Sequence, residues 1–540
     1  MTEQRFTGLV ASTGIAIGPA FRVENRTTGR RETGDPTQEA GDLRAAIDHA
    51  VADIVRLIAE ADEDAAAILE FQSAMLEDEA LAEPAFDAIE KGVAAERAWQ
   101  LALDSQIADY AASEDDYFRA RTADLQDIRD RVLRHLTGDE ASTAPVGAIF
   151  LGEDLTPSLF MSQDWRGGGA IALSKGSPSS HVAMLARARQ VPMVVGLGID
   201  VGQVVPGTTV IVDGEAGAIS VAPDFSTQAE AEQRLLQVRA GASAAEAQQF
   251  LPGRTADGTE VKVTINVAAP SEVDGLDPKI CDGIGLVRTE LLFSQDGKLP
   301  DEETQYRVYR HLLDWAQGRP VTIRTLDAGG DKPIRGLTID GEGNPFLGQR
   351  GLRLSLARPD VFRVQLRALC RAAVSGNLKV MLPMVTVPRE LEAARHLMEA
   401  CLADLRQAGI GCAAPPLGIM VEVPSTALTP ERFAADFYSI GSNDLTQYVM
   451  AAARDLDTVA SLSDTGDPAV LKLIAMAAAY GREAGREVSL CGDAAADPRL
   501  VPFLLKAGLR SLSMAPAAVG LIKTAISRVD LATSEKLSSR

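Results

Sequence analysis

Cysteine is sparse in this sequence. The five cysteines, Cys281, Cys370, Cys401, Cys412 and Cys491, are odd in number, widely spaced and free of CxxC pairs. That pattern argues against a disulfide framework and a zinc site, and fits a reducing cytoplasm. Long apolar runs are also missing, and none approaches the length that spans a bilayer. The opening Met1-Thr-Glu-Gln-Arg-Phe6 carries no hydrophobic signal core, so no export is expected. Basic residues are outnumbered, 53 Lys and Arg against 75 Asp and Glu, for a formal net charge of −22. Phosphate backbones need a basic footprint, so nucleic acid is not the expected partner and a basic protein is the more natural one. What is present is a globular composition, 46% hydrophobic and 24% charged. The length sets an expectation of roughly three or four domains.

Histidine is the other rarity. Of five, His49, His135, His311 and His396 sit inside helical patterns. His181 alone lies in a loop of Gly, Ser and Pro, Gly176-Ser-Pro-Ser-Ser-His181-Val-Ala-Met-Leu-Ala-Arg187. The apolar run 170–173 before it reads as a strand, and Val182, Leu185 and Ala186 after it fall at helical spacing. A loop-to-helix junction offers free backbone N–H groups and the positive end of the helix dipole, both favourable to an anion. Ser179 and Ser180 could simply cap the helix, and a polar residue on a surface turn would account for His181 taken alone.

Residues 6–24 read as two short strands with Gly turns. From Thr37 to Leu136 apolar residues recur at three and four, which predicts four helices in a bundle. Within it, residues 60–90 carry eleven acidic residues and no basic one. Such a run is a solvated face, or a surface toward which charge steers a basic protein. Residues 145–222 return to short strands and, with 6–24, make a small α/β domain into which the bundle is inserted. Residues 226–249 read as a connecting helix ended by Pro252-Gly253. The expected boundaries are 1–36 with 141–225 for the α/β domain, 37–140 for the inserted helices, 226–253 for a linker and natural hinge, and 254–540 for the remainder.

That remainder holds eight apolar runs, 261–266, 283–287, 321–326, 378–383, 417–422, 437–440, 488–491 and 511–514, separated by helical segments. Eight strand–helix repeats predict a (β/α)8 barrel, whose chemistry sits at the C-terminal ends of the strands. Reactive residues cluster there: Arg288 and Glu290; Arg324, then Asp327 to Lys332; Glu422; Asn443, Asp444 and, shortly after, Arg454; Cys491 and Asp493. Singly, each has a plain account as an ion-pair partner, a helix cap or a small buried thiol. Together they describe a site for a small, highly charged substrate, with arginines suited to phosphate and carboxylate and two carboxylates suited to Mg2+.

These segments resemble enzyme I of the phosphotransferase system, the phosphoenolpyruvate–protein phosphotransferase family. The resemblance is carried by the opening 6–24, the His181 loop and Arg121-Thr-Ala-Asp-Leu-Gln-Asp-Ile-Arg129. In the barrel it is carried by Gly283-Ile-Gly-Leu-Val-Arg-Thr-Glu290, Arg324-Thr-Leu-Asp-Ala-Gly-Gly-Asp-Lys332, Asn344-Pro-Phe-Leu-Gly-Gln-Arg350, Met420-Val-Glu-Val-Pro424, Gly441-Ser-Asn-Asp-Leu-Thr-Gln-Tyr448 and Cys491-Gly492. It implies a multidomain α/β protein: a swivelling phosphohistidine domain with an inserted helical bundle, followed by a (β/α)8 barrel that dimerises. It further implies that Arg288, Arg324, Asn443, Asp444 and Arg454 hold phosphoenolpyruvate, Glu422 and Asp444 hold Mg2+, and Cys491 is the proton donor. His181 would take the phosphoryl group and pass it to a histidine of an HPr-type carrier docked on the bundle.

Three departures stand out. Ser177 and Ser179 replace a Gly and a Thr of the family's phosphohistidine motif. The family often has a histidine near Gln72, a change expected to bear on carrier recognition. Asp493 replaces a glutamate and is expected to alter the cysteine's surroundings while activity is kept. A pyruvate phosphate dikinase or phosphoenolpyruvate synthase would need a large ATP-binding domain, for which no room is expected before Phe6. A non-catalytic phosphoenolpyruvate sensor would be expected to lose Arg288, Glu422, Asp444 or Cys491, and all are present.

Overall fold

The computed structural model describes residues 3–532 except 23–31, 61–62, 112–121, 139–143, 179, 199–202, 295–298, 331, 333, 335, 340, 454–455, 457–458 and 460–461. The chain divides into two compact units, Met1–Arg239 and Ala240–Arg540. The boundary falls inside the helix Phe225–Gln248, the connecting helix expected from its Ala, Glu and Gln content.

The first unit is built on eight strands: β1 (Gln4–Thr7), β2 (Leu9–Ser12), β3 (Ile15–Phe21), β4 (Ile149–Gly152), β5 (Ala170–Leu173), β6 (Met193–Val195), β7 (Thr209–Asp213) and β8 (Ala218–Val221). They form one sheet in the order β1-β8-β7-β3-β4-β5-β6-β2. Residues 6–24 thus contribute to three strands rather than the expected two, and Gly8 is the reason. It alone separates β1 from β2, which occupy opposite ends of the strand order, so the sheet must curl back on itself at this residue. The Gly8 N–H donates to the Gly217 carbonyl (2.8 Å), and a Cβ there would overlap the carbonyl oxygen of Val195.

Between β3 and β4 lie five helices among the described residues: α1 (Pro36–Glu60), α2 (Glu63–Glu77), α3 (Glu79–Glu90), α4 (Ala95–Ala111) and α5 (Thr122–Thr137). The sequence pattern predicts four. Asp78 makes the difference, because its carboxylate accepts from the Ala80 N–H (3.0 Å) and starts α3 directly after α2. The buried face of α3 is Leu81, Ala82, Ala85 and Ile89, half of it alanine, which gives a weak apolar signal. Trp99 is the largest fully buried side chain of this bundle, and its indole N–H donates to the Arg129 carbonyl (3.2 Å). Glu70, Glu77, Asp78, Glu83, Asp87 and Glu90 all lie exposed along the acidic run.

In the second unit the eight expected runs form β9 (Lys262–Val267), β10 (Ile284–Val287), β11 (Val321–Arg324), β12 (Leu378–Leu382), β13 (Leu417–Val421), β14 (Tyr438–Ile440), β15 (Val488–Leu490) and β16 (Ser511–Met514). All pair in parallel and β16 closes on β9. Side chains alternate across each strand. Val321 and Ile323, Val380 and Leu382, Ile419 and Val421, and Tyr438 and Ile440 join the core beneath the helices. The opposite parity puts Arg324, Met381, Met420, Glu422, Ser439 and Cys491 inside the barrel; Met381, Met420 and Cys491 pack there with Leu286 and Phe437. No helix of the described residues is long and apolar enough to cross a membrane.

The Gly8 contact gives a test. Gly8→Ala is expected to cost about 1–3 kcal/mol, the usual range for forcing an atom into a filled space. The measurement is urea unfolding of the N-terminal unit, and an unchanged midpoint would contradict the close approach.

Candidate active site

At the C-terminal mouth of the barrel a chain of buried charges links the ends of three strands, β10, β11 and β14. Arg324 ends β11; its guanidinium donates to Glu290 Oε1 (3.0 Å) and lies 3.2 Å from Asp327 Oδ2. Asp327 in turn takes Arg350 through Nε (3.1 Å) and Nη2 (3.0 Å), and Lys332 through Nζ (3.3 Å). Arg350 reaches on to both oxygens of Asp444, at 2.9 and 3.0 Å. Arg350 and Asp327 are fully buried. Burial alone would discharge the two arginines, but the carboxylates around them outweigh it and hold Arg324 and Arg350 charged. Conversely, Arg324, Arg350 and Lys332 overcome the burial of Asp327 and hold its carboxyl far below the usual carboxylate range.

Glu422, immediately after β13, has the opposite environment. Its Oε1 accepts from the Met384 N–H (2.6 Å), and Met384 adopts a left-handed backbone (φ 56°) to reach it. Burial, then the charges of Asp444 and Asp327, push Glu422 up to about 8. A Cβ on Gly441 would come 3.0 Å from Glu422 Oε2, so the start of the Asp444 helix, Ser442–Met450, approaches only because residue 441 is glycine.

Cys491 follows β15. Its thiol accepts from the Ser439 hydroxyl (3.3 Å) and faces the Ile440 carbonyl (3.6 Å). Burial pushes this thiol up, against the pull of Ser439, Arg324 and Arg288, so it stays protonated at neutral pH. Asn443, beside Asp444, is bound to Asp493 rather than to the cysteine: its Nδ2 donates to Asp493 Oδ2 (2.9 Å) and its Oδ1 accepts from the Asp493 N–H (2.8 Å). Among the described residues the Asp493 side chain makes no hydrogen bond to Cys491. Arg288 follows β10, is exposed, and has no side-chain hydrogen bond or ion pair among the described residues; its backbone N–H donates to the Val267 carbonyl (2.8 Å). Arg454 lies outside the described residues.

Arg324, Glu422, Asn443, Asp444 and Cys491 therefore converge at strand ends, with Arg288 at the same end of the barrel. Arg350 was not among the site residues assigned from sequence. It sits deep in the β11–β12 connection rather than at a strand end, and its signal in the sequence is the Asn344 to Arg350 motif.

His181 belongs to the first unit, where it opens the helix His181–Ala188 as expected. Ser180 caps that helix by accepting from the Ala183 N–H (3.3 Å). Gly176 has φ 94°, and Arg187 donates to the carbonyls of Ala11 and Pro178, both at 2.8 Å, which ties the loop to β2. Ser179 lies outside the described residues. His181 Nδ1 stands 3.7 Å from Oδ1 of Asp124 on α5, whose carboxylate is fully buried. Gln72 on α2 donates to Asp124 (3.2 Å) and Asp127 (3.3 Å), and Asp127 accepts from the Ser158 N–H (3.1 Å) and hydroxyl. Gln72 is fully buried, and its side chain is directed inward onto these carboxylates.

The buried charges predict a large stability effect. Arg350→Ala leaves Asp327 and Asp444 short of their common partner, and losing one member of a buried ion pair costs about 3–5 kcal/mol. Urea unfolding of the barrel unit measures this, and an unshifted midpoint would show that the guanidinium does not hold the carboxylates.

Comparison with known proteins places this geometry. Three family models match: PEP-utilising enzyme, N-terminal, over residues 7–121; PEP-utilising enzyme, mobile domain, over 144–217; and PEP-utilising enzyme, PEP-binding domain, over 242–531. The phosphoenolpyruvate-protein phosphotransferase of Geobacillus stearothermophilus is 36% identical over 532 residues, covering 96% of this chain and 92% of the relative. That of Haloferax volcanii is 38% identical over 490 residues, 88% of this chain and 84% of the relative. That of Bacillus subtilis is 33% identical over 550 residues, 99% of this chain and 96% of the relative. With matches of this extent over both units, the chain belongs to the phosphoenolpyruvate–protein phosphotransferase family, enzyme I of the phosphotransferase system.

Proposed function

We propose that the barrel mouth binds phosphoenolpyruvate through Arg288, Arg324, Asn443, Asp444 and Arg454, and that His181 accepts its phosphoryl group. The observation that carries this reading is the convergence of Arg324, Glu422, Asn443, Asp444 and Cys491 at the C-terminal strand ends. The donor set also fits Mg2+. Glu290, Asp327, Glu422 and Asp444 outnumber Arg324, Lys332 and Arg350 by one, and Glu422 is the carboxylate pushed up by burial and then by its acidic neighbours. A hard cation held by Glu422 and Asp444, with water and substrate oxygens completing its shell, would relieve that excess. When bound, Mg2+ would supply charge neutralisation at the phosphate.

The chain's own residues do the remaining work. Fixed guanidinium groups align the anion and disperse charge on the transferring phosphoryl group. A neutral imidazole nitrogen of His181 attacks phosphorus, and the bond from phosphorus to the enol oxygen breaks. The buried thiol of Cys491 gives its proton to the methylene carbon of the enolate, which leaves pyruvate. Phospho-His181 then passes the group to a histidine of an HPr-type carrier. The exposed acids of α2 and α3 support docking of a basic carrier on the bundle. We further propose a cytoplasmic enzyme that forms a homodimer through its barrel.

Incubation with Mg2+ and phosphate-labelled phosphoenolpyruvate, beside His181→Ala, tests the reading. Acid-labile, base-stable label is expected on the wild type alone, with release of pyruvate. Label on both proteins would reject His181, and label on neither, despite Mg2+-dependent phosphoenolpyruvate binding, would favour a sensor. Cys491→Ala is expected to slow pyruvate formation by about 10²–10⁴-fold, the usual share of a general acid. A rate unchanged in a coupled pyruvate assay would remove the thiol from the mechanism.

A further inference from the structure

We infer that Asp493 is a positioning residue that fixes the amide of Asn443 so that an N–H, and never the carbonyl oxygen, faces the bound substrate. The inference rests on the role proposed above for Asn443.

Two hydrogen bonds of opposite sense join the residues. The Asp493 backbone N–H donates to Asn443 Oδ1 (2.8 Å), and Asp493 Oδ2 accepts from Asn443 Nδ2 (2.9 Å). A backbone N–H only donates and a carboxylate only accepts, so just one of the two amide orientations satisfies both. The Ser442 hydroxyl also donates to Oδ1 (3.3 Å), which fills the acceptor capacity of that oxygen. One N–H on Nδ2 remains, with no partner among the described residues. An amide held this way offers a donor to an anionic oxygen and denies it the repulsion of a lone pair.

The backbone is shaped for this contact. Asp493 opens a short 3-10 turn, Asp493–Ala496, and Asn443 lies in the first turn of Ser442–Met450. Gly492 lets them meet. A Cβ there would overlap the Ser442 hydroxyl and come 2.8 Å from Asn443 Oδ1. The short aspartate suits the same pairing, since its carboxylate stays beside its own N–H and both can reach one amide. A glutamate's extra methylene would carry the carboxylate away from that N–H. Cys491 takes no part, being bound to Ser439 and facing the Ile440 carbonyl.

The test is exchange of label between pyruvate and phosphoenolpyruvate, which needs no carrier protein, with KM and kcat measured separately. Asp493→Ala removes the carboxylate that anchors Nδ2 and leaves the backbone N–H and Ser442 to hold Oδ1 alone, so the amide is less tightly fixed, and KM for phosphoenolpyruvate is expected to rise by up to about ten-fold, the worth of one charge-assisted hydrogen bond. The turnover number should change far less, because orientation of bound substrate by the arginines is intact. Asp493→Asn keeps both the N–H and an acceptor oxygen, and is expected to recover most of the affinity. An asparagine variant as poor as the alanine, or a loss that falls on kcat with a displaced pH profile, would overturn the assignment by making Asp493 an acid or base. Asn443→Ala completes the cycle: once it is made, adding Asp493→Ala should cost nothing further. Additive losses would refute the coupling. An Asn443→Ala variant with unchanged exchange would instead refute the substrate role of Asn443, and this inference with it.

Discussion

Arg350 holds the mouth of the barrel together. Its guanidinium is fully buried, yet it satisfies two carboxylates at once, Asp327 after β11 and Asp444 after β14. An isolated charge in such a place would cost several kcal/mol, so each member makes the others tolerable. Asp327 passes the constraint on to Arg324, and Arg324 to Glu290, so the ends of β10, β11 and β14 are joined through side chains as well as through the sheet. The cost falls on Glu422, whose one hydrogen bond is from a backbone N–H and whose burial and acidic neighbours, Asp444 and Asp327, outweigh the pull of Arg324 and Arg350.

The constraint is geometric as much as electrostatic. Parallel strands present alternate residues to the barrel interior, and the residues that converge here, Arg324, Glu422 and Cys491, share that inward parity. The loops beyond must then approach closely. Gly441 leaves room for Glu422, Gly492 leaves room for Ser442 and Asn443, and Met384 accepts a left-handed backbone to offer its N–H. Strain and lost side chains at these points are the structural cost of placing acid, amide and thiol together.

The two units treat their reactive groups differently. In the barrel, charge is neutralised by direct ion pairing. Around His181 the buried carboxylates Asp124 and Asp127 are held by a neutral amide, Gln72, and by Ser158. The Asp124 carboxylate lies 3.7 Å from the imidazole, while the ring stays partly open to solvent. The side chains that support the ring are buried, and its own face is accessible.

Much of this was legible before any coordinates. All eight barrel strands, the helix start at His181 and the cluster at the strand ends follow from short apolar runs and helical spacing, which are local properties of the chain. The count of bundle helices was not, because half of the buried face of α3 is alanine and its start depends on one capping aspartate. Nor was the division of β1 from β2 at Gly8, since strand neighbours far apart in sequence decide it. The sequence by itself determined which residue types stand at which strand ends, and so the class of chemistry. Only the tertiary structure decided who partners whom: that Arg350 binds Asp327 and Asp444, that Gln72 is buried, and that Asp493 holds Asn443 rather than Cys491. Those pairings are set by distances across the barrel mouth and the bundle, and no local pattern in a chain records them.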